Sequence, residues 1–297
     1  MAETVRDLVA AELSERAEAR VTAIAEAIAA RHLPSSRAVL FYGSCLREKQ
    51  LQGLMLDFYL IVADYSSAYG RRWLAAANRL VPPNVFYFEK YGLVAKYAVL
   101  SEADFARECD TSARTASVFA RFAQPSRLVW AADEEAREQA IASVALAAPA
   151  LLGLAQPTLP EKASDPLQLW KSAFRLTYGA ELRAERSSRP ETIVDLDPER
   201  YIRIAKVAGF SSKRNYTEVE RRTSEDAWRQ FQRRGKRASV LRLIKASFTF
   251  AGGAEYIAWK INRHAGTQIE LKPWQRRHPL LAGISLLPRL LKSGAIR

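Results

Sequence analysis

The chain has 297 residues, of which 48% are hydrophobic and 26% are charged, a balance that excludes a disordered or fibrous protein. No run of about 18 purely apolar residues occurs, so a membrane-spanning helix is not expected, and the acidic N-terminus does not resemble a secretory signal. Two cysteines exclude a disulfide framework and fit a reducing cytoplasm, and three histidines argue against a histidine-rich metal site.

The positive charge lies in the last third of the chain. Residues 1–200 carry 24 Lys/Arg and 26 Asp/Glu (−2), and residues 201–297 carry 21 and 6 (+15), which together give the net charge of +13. A concentrated positive field attracts nucleic acid, anionic membranes or phosphorylated substrates, and composition leaves these three alternatives open.

Hydrophobic periodicity predicts the secondary structure in chain order. Apolar residues from Val5 to Ile28 recur at helical spacing, which predicts a single N-terminal helix within residues 1–35. The segments predicted next are strands at 38–42 and 54–62, a helix at 71–80, strands at 85–88 and 93–100 with a hairpin turn at 89–92, a helix capped by Ser101, and a strand at 127–131. Residues 157–160 are the candidate linker, and helices are predicted beyond it, one of them starting at Asp197-Pro198.

The segment 39–62 carries the most informative residues. An apolar strand ends in Gly43-Ser44, and Asp57 is the one charged residue of the next apolar strand. Glycine lets the backbone approach a triphosphate, its amides and the serine hydroxyl can hold phosphate oxygens, and a carboxylate can hold Mg²⁺ against those phosphates. A charge in such a strand is costly to bury unless it is paired or metal-bound. The alternative is that Asp57 pairs with a buried arginine or caps a helix, and that Gly43-Ser44 is an ordinary turn.

This pattern resembles the signature of the nucleotidyltransferase superfamily, Gly-Ser followed by Asp-x-Asp/Glu on a strand, with Tyr59 in place of the second carboxylate. The chain is also similar to the mitochondrial-type phosphatidate cytidylyltransferase family, the translocator assembly and maintenance proteins, which has bacterial members. The stretches that carry this resemblance are Tyr42-Gly43-Ser44, Leu56-Asp57-Phe58, residues 95–101 and residues 176–183. The chain departs from the family pattern at Cys45, at Trp73-Leu74 and at residues 85–88.

The resemblance implies Mg²⁺-dependent cytidylyl transfer from CTP to phosphatidic acid or a related lipid phosphate, giving CDP-diacylglycerol and pyrophosphate. The residues implied as catalytic are Asp57, Lys96 and Glu181, of which Asp57 and Glu181 would bind the metal. The residues implied as nucleotide-binding are Tyr42, Gly43, Ser44, Lys96, Tyr178 and Arg183. Lys96 could instead be a solvated edge-strand lysine, Glu181 and Arg183 a helix-surface pair, and Tyr178 a core residue. Lys171 and Arg175 share the helix face of Tyr178 and are weaker candidates for a basic lining.

The predicted fold class is an α/β (α+β) nucleotidyltransferase core with a mixed sheet, followed by a mainly helical C-terminal domain. The predicted divisions are an N-terminal helix at 1–35, the nucleotidyltransferase core at 36–157, a basic helical domain at 158–272 and an amphipathic tail at 273–297. In that tail, leucines flanked by arginines and lysines are typical of a segment that lies on an anionic membrane surface.

These features predict a cytoplasmic protein attached peripherally to the inner face of the membrane. The alternative is that the tail docks on its own domain or on a second subunit, so a homo-oligomer stays open. Two other functions also stay open. One is nucleotidyl transfer to a protein, an RNA end or a small molecule, and the other is a basic nucleic-acid-binding protein with a degenerate core.

Overall fold

Five apolar segments pair into a single mixed sheet. The computed structural model describes residues 2–48, 51, 54–159, 165–180, 189–210 and 215–249. The strands are β1 (Ser36–Tyr42), β2 (Met55–Val62), β3 (Asn84–Lys90), β4 (Leu93–Ser101) and β5 (Ser126–Ala131). Their order is β3-β4-β2-β1-β5, and all neighbours are antiparallel except the parallel pair β2 and β4. The predicted α/β class with a mixed sheet is confirmed.

Helices surround this sheet and dominate the second half of the described chain. They are α1 (Val5–Leu13), α2 (Ala19–Ala30), α3 (Ser44–Glu48), α4 (Tyr65–Ala68), α5 (Arg72–Leu80), α6 (Glu102–Cys109), α7 (Ser117–Phe122), α8 (Glu134–Ala155), α9 (Pro166–Gly179), α10 (Arg189–Asp195), α11 (Pro198–Val207) and α12 (Glu218–Thr249). The predicted caps form: the side chain of Ser101 accepts from the Asp104 amide, and that of Asp197 accepts from the Arg200 amide. The mainly helical region after the sheet is therefore confirmed as well.

The N-terminal segment forms two helices, so the prediction of one helix was wrong. The first helix ends at Ser14, whose hydroxyl donates to the Ala10 carbonyl at 2.8 Å. Val9 and Leu13 of α1 pack on one face of the sheet, whereas Ile24 of α2 packs on the opposite face. The break lets one apolar stripe cover both faces, which a single straight helix could not do.

The alternating side chains of the strands build a separate core on each face. Leu56, Phe58 and Leu60 of β2 pack under α2, α4 and α5. Tyr59 and Ile61 point to the other face, which is covered by α1, α6, α7 and α8. This is the alternation expected for β2, and it puts Asp57 on the face of Tyr59.

The long helix α8 lies in the second of these cores. Within the described residues, α8 and the turn after it (Glu134–Thr158) have the length and mean hydropathy, 1.6, that a membrane-crossing helix requires. The sequence reading overlooked this property, because Gln139, Ser143 and Pro149 interrupt the apolar run. In the structure 61% of that apolar window is buried, and α8 contacts α1, α6, α7 and α9. These contacts are those of a central helix in a globular core.

The C-terminal helices share this same core. Trp170 of α9 and Tyr201 of α11 are fully buried, and the Trp170 indole donates to the Tyr201 carbonyl at 2.8 Å. The Trp228 indole of α12 donates to the Leu154 carbonyl of α8, also at 2.8 Å. Residues on both sides of the predicted boundary at 157 therefore pack in the same core.

Candidate functional site

One end of the sheet carries a row of polar side chains, one from each strand. Cross-strand pairing aligns Tyr87 of β3 with Lys96 of β4, Lys96 with Asp57 of β2, Asp57 with Tyr42 of β1, and Tyr42 with Ser126 of β5. Directly paired residues share a face of the sheet, so these five side chains, the polar row, lie side by side. The sequence predicted three of them, Tyr42, Asp57 and Lys96, and the strand register brings those three together.

Gly43 lies directly against Asp57. The glycine has φ +95°, a conformation that L side chains rarely adopt. A Cβ built at this position would lie 2.9 Å from Asp57 Oδ2 and 3.3 Å from Asp57 Cβ. Ser44 follows at once and begins α3. The glycine therefore permits both the turn and the close approach of the backbone to the carboxylate.

The charge partner of Asp57 is a lysine. Lys96 Nζ lies 3.0 Å from Asp57 Oδ1, and the exposed fractions of the two side chains are 41% and 19%. This contact is an ion pair without hydrogen-bond geometry, so the buried Oδ1 accepts no hydrogen bond in the structure. The alternative of a buried arginine partner is therefore not what the structure shows, since the partner is Lys96. The side chain of Lys96, which the sequence left either bound to an anion or solvated, is half exposed beside a carboxylate.

Two tyrosines close the row on the side of the core. The Tyr42 ring packs 5.3 Å from the Tyr59 ring and 5.8 Å from the Phe122 ring, measured between centroids. Burial, together with the negative charge of Asp57, raises the pKa of Tyr42 well above its ordinary value, so its hydroxyl stays protonated. Tyr59 is 3% exposed and occupies the position where the superfamily pattern has its second carboxylate. Strand β2 thus offers a single carboxylate at this end.

The other predicted residues lie apart from the row or outside the described residues. Tyr178 of α9 packs against the same core as Tyr42. Lys171 pairs with Asp195 at 2.6 Å and Arg175 with Glu191 at 2.8 Å, so both extend toward α10. The predicted Glu181 and Arg183, together with the membrane-surface tail at 273–297, lie outside the described residues.

A divalent metal would find one carboxylate here. Among the side chains that the structure describes, no group of three or more His, Cys, Asp and Glu is arranged to hold an ion. Asp57 is a hard oxygen ligand with a buried oxygen that accepts no hydrogen bond, which suits Mg²⁺. Mg²⁺ commonly takes one or two carboxylates and completes its shell with phosphates and water. The row therefore fits Mg²⁺ only together with a bound triphosphate.

Sequence reasoning missed Tyr87 and Ser126. Ser126 is fully buried, and its hydroxyl has no partner in the structure. The Tyr87 hydroxyl donates to Glu89 at 2.8 Å. Neither residue stands in a recognisable motif, and only the register of β3 and β5 places them beside Tyr42 and Lys96.

Comparison with known proteins yields no sequence match and a weak likeness to solved structures. The chain matches no protein-family model and no curated protein sequence. It is similar to the crystal structure of a nucleotidyltransferase-like protein from Exiguobacterium sibiricum 255-15, at 9% sequence identity and a TM-score of 0.30, over 92% of both chains. At that TM-score the fold assignment depends on the sheet described above, and the resemblance to the cytidylyltransferase family stays a prediction.

Proposed function

We propose that this protein is a nucleotidyltransferase that holds the triphosphate of its substrate at the polar row. The observation that carries the proposal is the contact between Gly43 and Asp57 beside Lys96. A glycine turn with positive φ, a carboxylate and a half-exposed ammonium group converge at one end of the sheet. Such a turn brings backbone close to phosphate oxygens, and the ammonium supplies the opposite charge.

The residues of the row have distinct tasks in this proposal. The Lys96 ammonium leaves Asp57 and binds phosphate oxygens, which stabilises the negative charge that grows on the leaving pyrophosphate. The Gly43 backbone and the Ser44 hydroxyl orient the triphosphate, so that the acceptor and the leaving group stand in line. An acceptor that is itself a phosphate is already ionised near neutral pH. It needs no general base, and the described row offers no histidine for that task.

Asp57 is the residue that would hold Mg²⁺. When bound, the ion would neutralise part of the charge on the phosphates. Asp57 can serve in this way only after Lys96 has moved to the phosphates, because the ammonium now stands 3.0 Å from Oδ1. Glu181 remains the proposed second carboxylate.

The specific reaction that we propose is cytidylyl transfer from CTP to phosphatidic acid or a related lipid phosphate. This choice rests on the sequence resemblance, in which Arg183 and Tyr178 complete the nucleotide site. The basic tail at 273–297 would keep the protein peripherally at the inner face of the membrane, where such a lipid is reached.

A pyrophosphate-release assay tests the proposal. The purified full-length chain is given each nucleoside triphosphate with Mg²⁺, in the presence and absence of vesicles that contain phosphatidic acid. We expect release that needs both CTP and the lipid. Asp57→Asn should lower turnover by at least about 100-fold, because it removes the charge that would hold the metal. Asp226→Asn, at a surface carboxylate paired with Arg229, is the matched control and should leave turnover unchanged.

The outcomes of this assay separate the activity, the acceptor and the role of Asp57. Pyrophosphate release with another acceptor and without lipid would support nucleotidyl transfer but exclude the lipid as the acceptor. Full activity of Asp57→Asn would remove Asp57 from the site, and no release with any nucleotide and acceptor would overturn the proposal. Circular dichroism of both variants verifies that the fold is intact.

The basic surface of α12 supports a second candidate, a nucleic-acid-binding protein. Arg233, Arg234 and Arg237 are exposed along one stretch of that helix. This candidate predicts retention of RNA or DNA with a steep dependence on salt, and no nucleotide binding at the row. Filter binding of a radiolabelled RNA across a salt series, compared with CTP binding, separates the two.

A further inference from the structure

A second cationic site lies outside the polar row. A cleft of about 350 Å³ opens between α12, the turn Leu80–Pro82 before β3, and the segment that joins α6 to α7. None of the residues that line it belongs to the polar row. The cleft is therefore distinct from the proposed nucleotide site.

The walls of this cleft are fixed by specific contacts. Arg242 Nε donates to the Pro82 carbonyl at 2.8 Å, and Lys245 Nζ donates to the carbonyls of Val81 and Pro83. About two turns earlier in α12, Gly235 lies so close to the Ala180 carbonyl that any side chain at this position would collide with that carbonyl. The helix is thus held against the core on both sides of the cleft, and the lining is preformed.

Four arginines line the cleft: Arg114, Arg234, Arg237 and Arg242. The one carboxylate in the lining, Glu108, is 3% exposed, and its Oε1 already accepts from Arg107 and from the Arg114 amide, both at 3.3 Å. In the described part of the chain, the guanidinium groups of Arg114, Arg234 and Arg237 have no carboxylate partner. Clustered like charges repel one another, so the arrangement favours a bound anion.

The rest of α12 shows that this cluster is unlike an ordinary solvated helix face. Arg222 pairs with Glu218 at 2.9 Å, and Arg229 pairs with Asp226 at 2.5 Å. Those arginines are balanced by carboxylates one turn away on their own helix, whereas Arg234 and Arg237 pair with no carboxylate in the described part of the chain. The charge imbalance is therefore local to the cleft.

Two further features indicate what kind of anion fits. Thr115 lines the cleft and is 5% exposed, and its hydroxyl is buried without a partner. At the mouth, Leu80 is 79% and Leu241 is 49% exposed, so apolar surface adjoins the arginines. Guanidinium groups bind phosphate oxygens in pairs, and a cleft of this volume is at the small end of ligand sites, about 300–1,000 Å³.

We propose that this cleft binds a phosphate group whose organic part lies on Leu80 and Leu241. Arg114 approaches the phosphate from the segment that joins α6 to α7, and Arg234 and Arg237 approach it from α12, so the anion joins the two walls. The phosphate can come from a soluble phosphate ester or from a lipid headgroup. The site does not depend on Asp57 and stands whether or not the proposed function does.

Calorimetric titration of the full-length chain with phenyl phosphate tests this site. The double variant Arg234→Gln/Arg237→Gln should weaken binding by about tenfold or more, and Arg114→Gln should weaken it too, from the opposite wall. The control is Arg222→Gln/Arg229→Gln, which removes the same two charges from α12 and should change binding by less than about twofold. Leu241→Ser should weaken binding of phenyl phosphate but not of inorganic phosphate.

Several results would overturn the proposal. One is absence of binding by the wild-type chain, and another is equal weakening of binding by the two double variants. The third is a loss of binding in Asp57→Asn while the cleft variants bind phenyl phosphate as tightly as the wild type does. Flotation with phosphatidylcholine vesicles, with and without phosphatidylglycerol, then identifies the source of the phosphate. Loss of vesicle binding in Arg234→Gln/Arg237→Gln alone supports a lipid headgroup, and unchanged vesicle binding with weakened phenyl phosphate binding supports a soluble ester.

Discussion

Replacing Gly43 with alanine tests the local geometry on which the candidate site depends. The substitution forces an L side chain to φ +95° and places its Cβ 2.9 Å from Asp57 Oδ2. Asp57 is paired with β1 on one side and β4 on the other, and it cannot move away without disturbing one of these strands. We therefore expect two separate destabilising effects, one from the backbone and one from the contact.

The magnitudes of the two effects can be estimated separately. Holding alanine in a left-handed conformation costs about 1–2 kcal/mol. Inserting a methyl group into packed surroundings costs typically about 1–3 kcal/mol. The expected loss of unfolding free energy for Gly43→Ala is thus roughly 2–5 kcal/mol. Gly92→Ala provides the matched control, since Gly92 has φ +69° and no heavy atom lies within 4 Å of its built Cβ.

Urea denaturation followed by circular dichroism measures both variants. Gly92→Ala should lose only the backbone part, and the difference between the two variants isolates the contact with Asp57. Asp57→Ala in the Gly43→Ala background should recover part of that difference, because it removes the carboxylate and leaves only the 3.3 Å contact with Cβ. A Gly43→Ala variant no more destabilised than Gly92→Ala, or a second substitution that recovers nothing, would refute the proposed contact between Gly43 and Asp57.

Three further predictions concern other positions. Gly235→Ala should cost more than about 2 kcal/mol by urea denaturation, because its methyl group meets the Ala180 carbonyl and displaces α12; a loss below that of Gly92→Ala would contradict it. Burial, with the charge of Arg242, lowers the pKa of Lys245 from 10.5 to about 7. Between about pH 7 and pH 10.5 the lysine is therefore protonated in the unfolded chain and neutral in the folded chain. The free energy of unfolding should rise with pH across this window, by about 1 kcal/mol, and Lys245→Met should flatten the rise. Burial also lowers the pKa of His32 below 6.5, so stability should fall as pH drops below that value; His32→Gln should remove the loss in acid denaturation curves, and an unchanged pH profile would speak against it.

The strands could be predicted closely because each is a short apolar run. The predicted 38–42 and 54–62 correspond to Ser36–Tyr42 and Met55–Val62, and the predicted hairpin turn contains Tyr91 and Gly92, both with positive φ. In these segments the local pattern and the tertiary packing favour the same structure. Boundaries differ by one or two residues, where pairing extends beyond the apolar run.

The division of the N-terminal helix could not be predicted in this way. No proline or glycine lies between Val5 and Ala30, and the apolar stripe continues through the break. What ends α1 is the opportunity to bury the second half of the stripe on the far face of the sheet. That opportunity depends on long-range packing, which periodicity does not report.

The site was predicted in its residue types but not in its pairing. Alternation alone put Asp57 on the face opposite Leu56 and Phe58, and the structure agrees. The partner of Asp57 depends on which residue of β4 stands beside it. A parallel register between strands 39 residues apart at this point makes that residue Lys96, and no local signal fixes such a register.

The Asp57–Lys96 pair changes the argument for a metal at this site. A lone acid in an apolar strand is costly to bury unless a cation pairs with it, and Lys96 is such a cation in the absence of metal. The pair is asymmetric, since Lys96 is 41% exposed and Asp57 is 19% exposed. A single ion pair whose lysine is this exposed contributes about 1 kcal/mol or less. In the proposed function a triphosphate, which carries several negative charges, would compete for the same ammonium, so the pair would open on binding. The lysine would then act as the resting partner of the carboxylate, and it would leave when a ligand that needs both groups arrives.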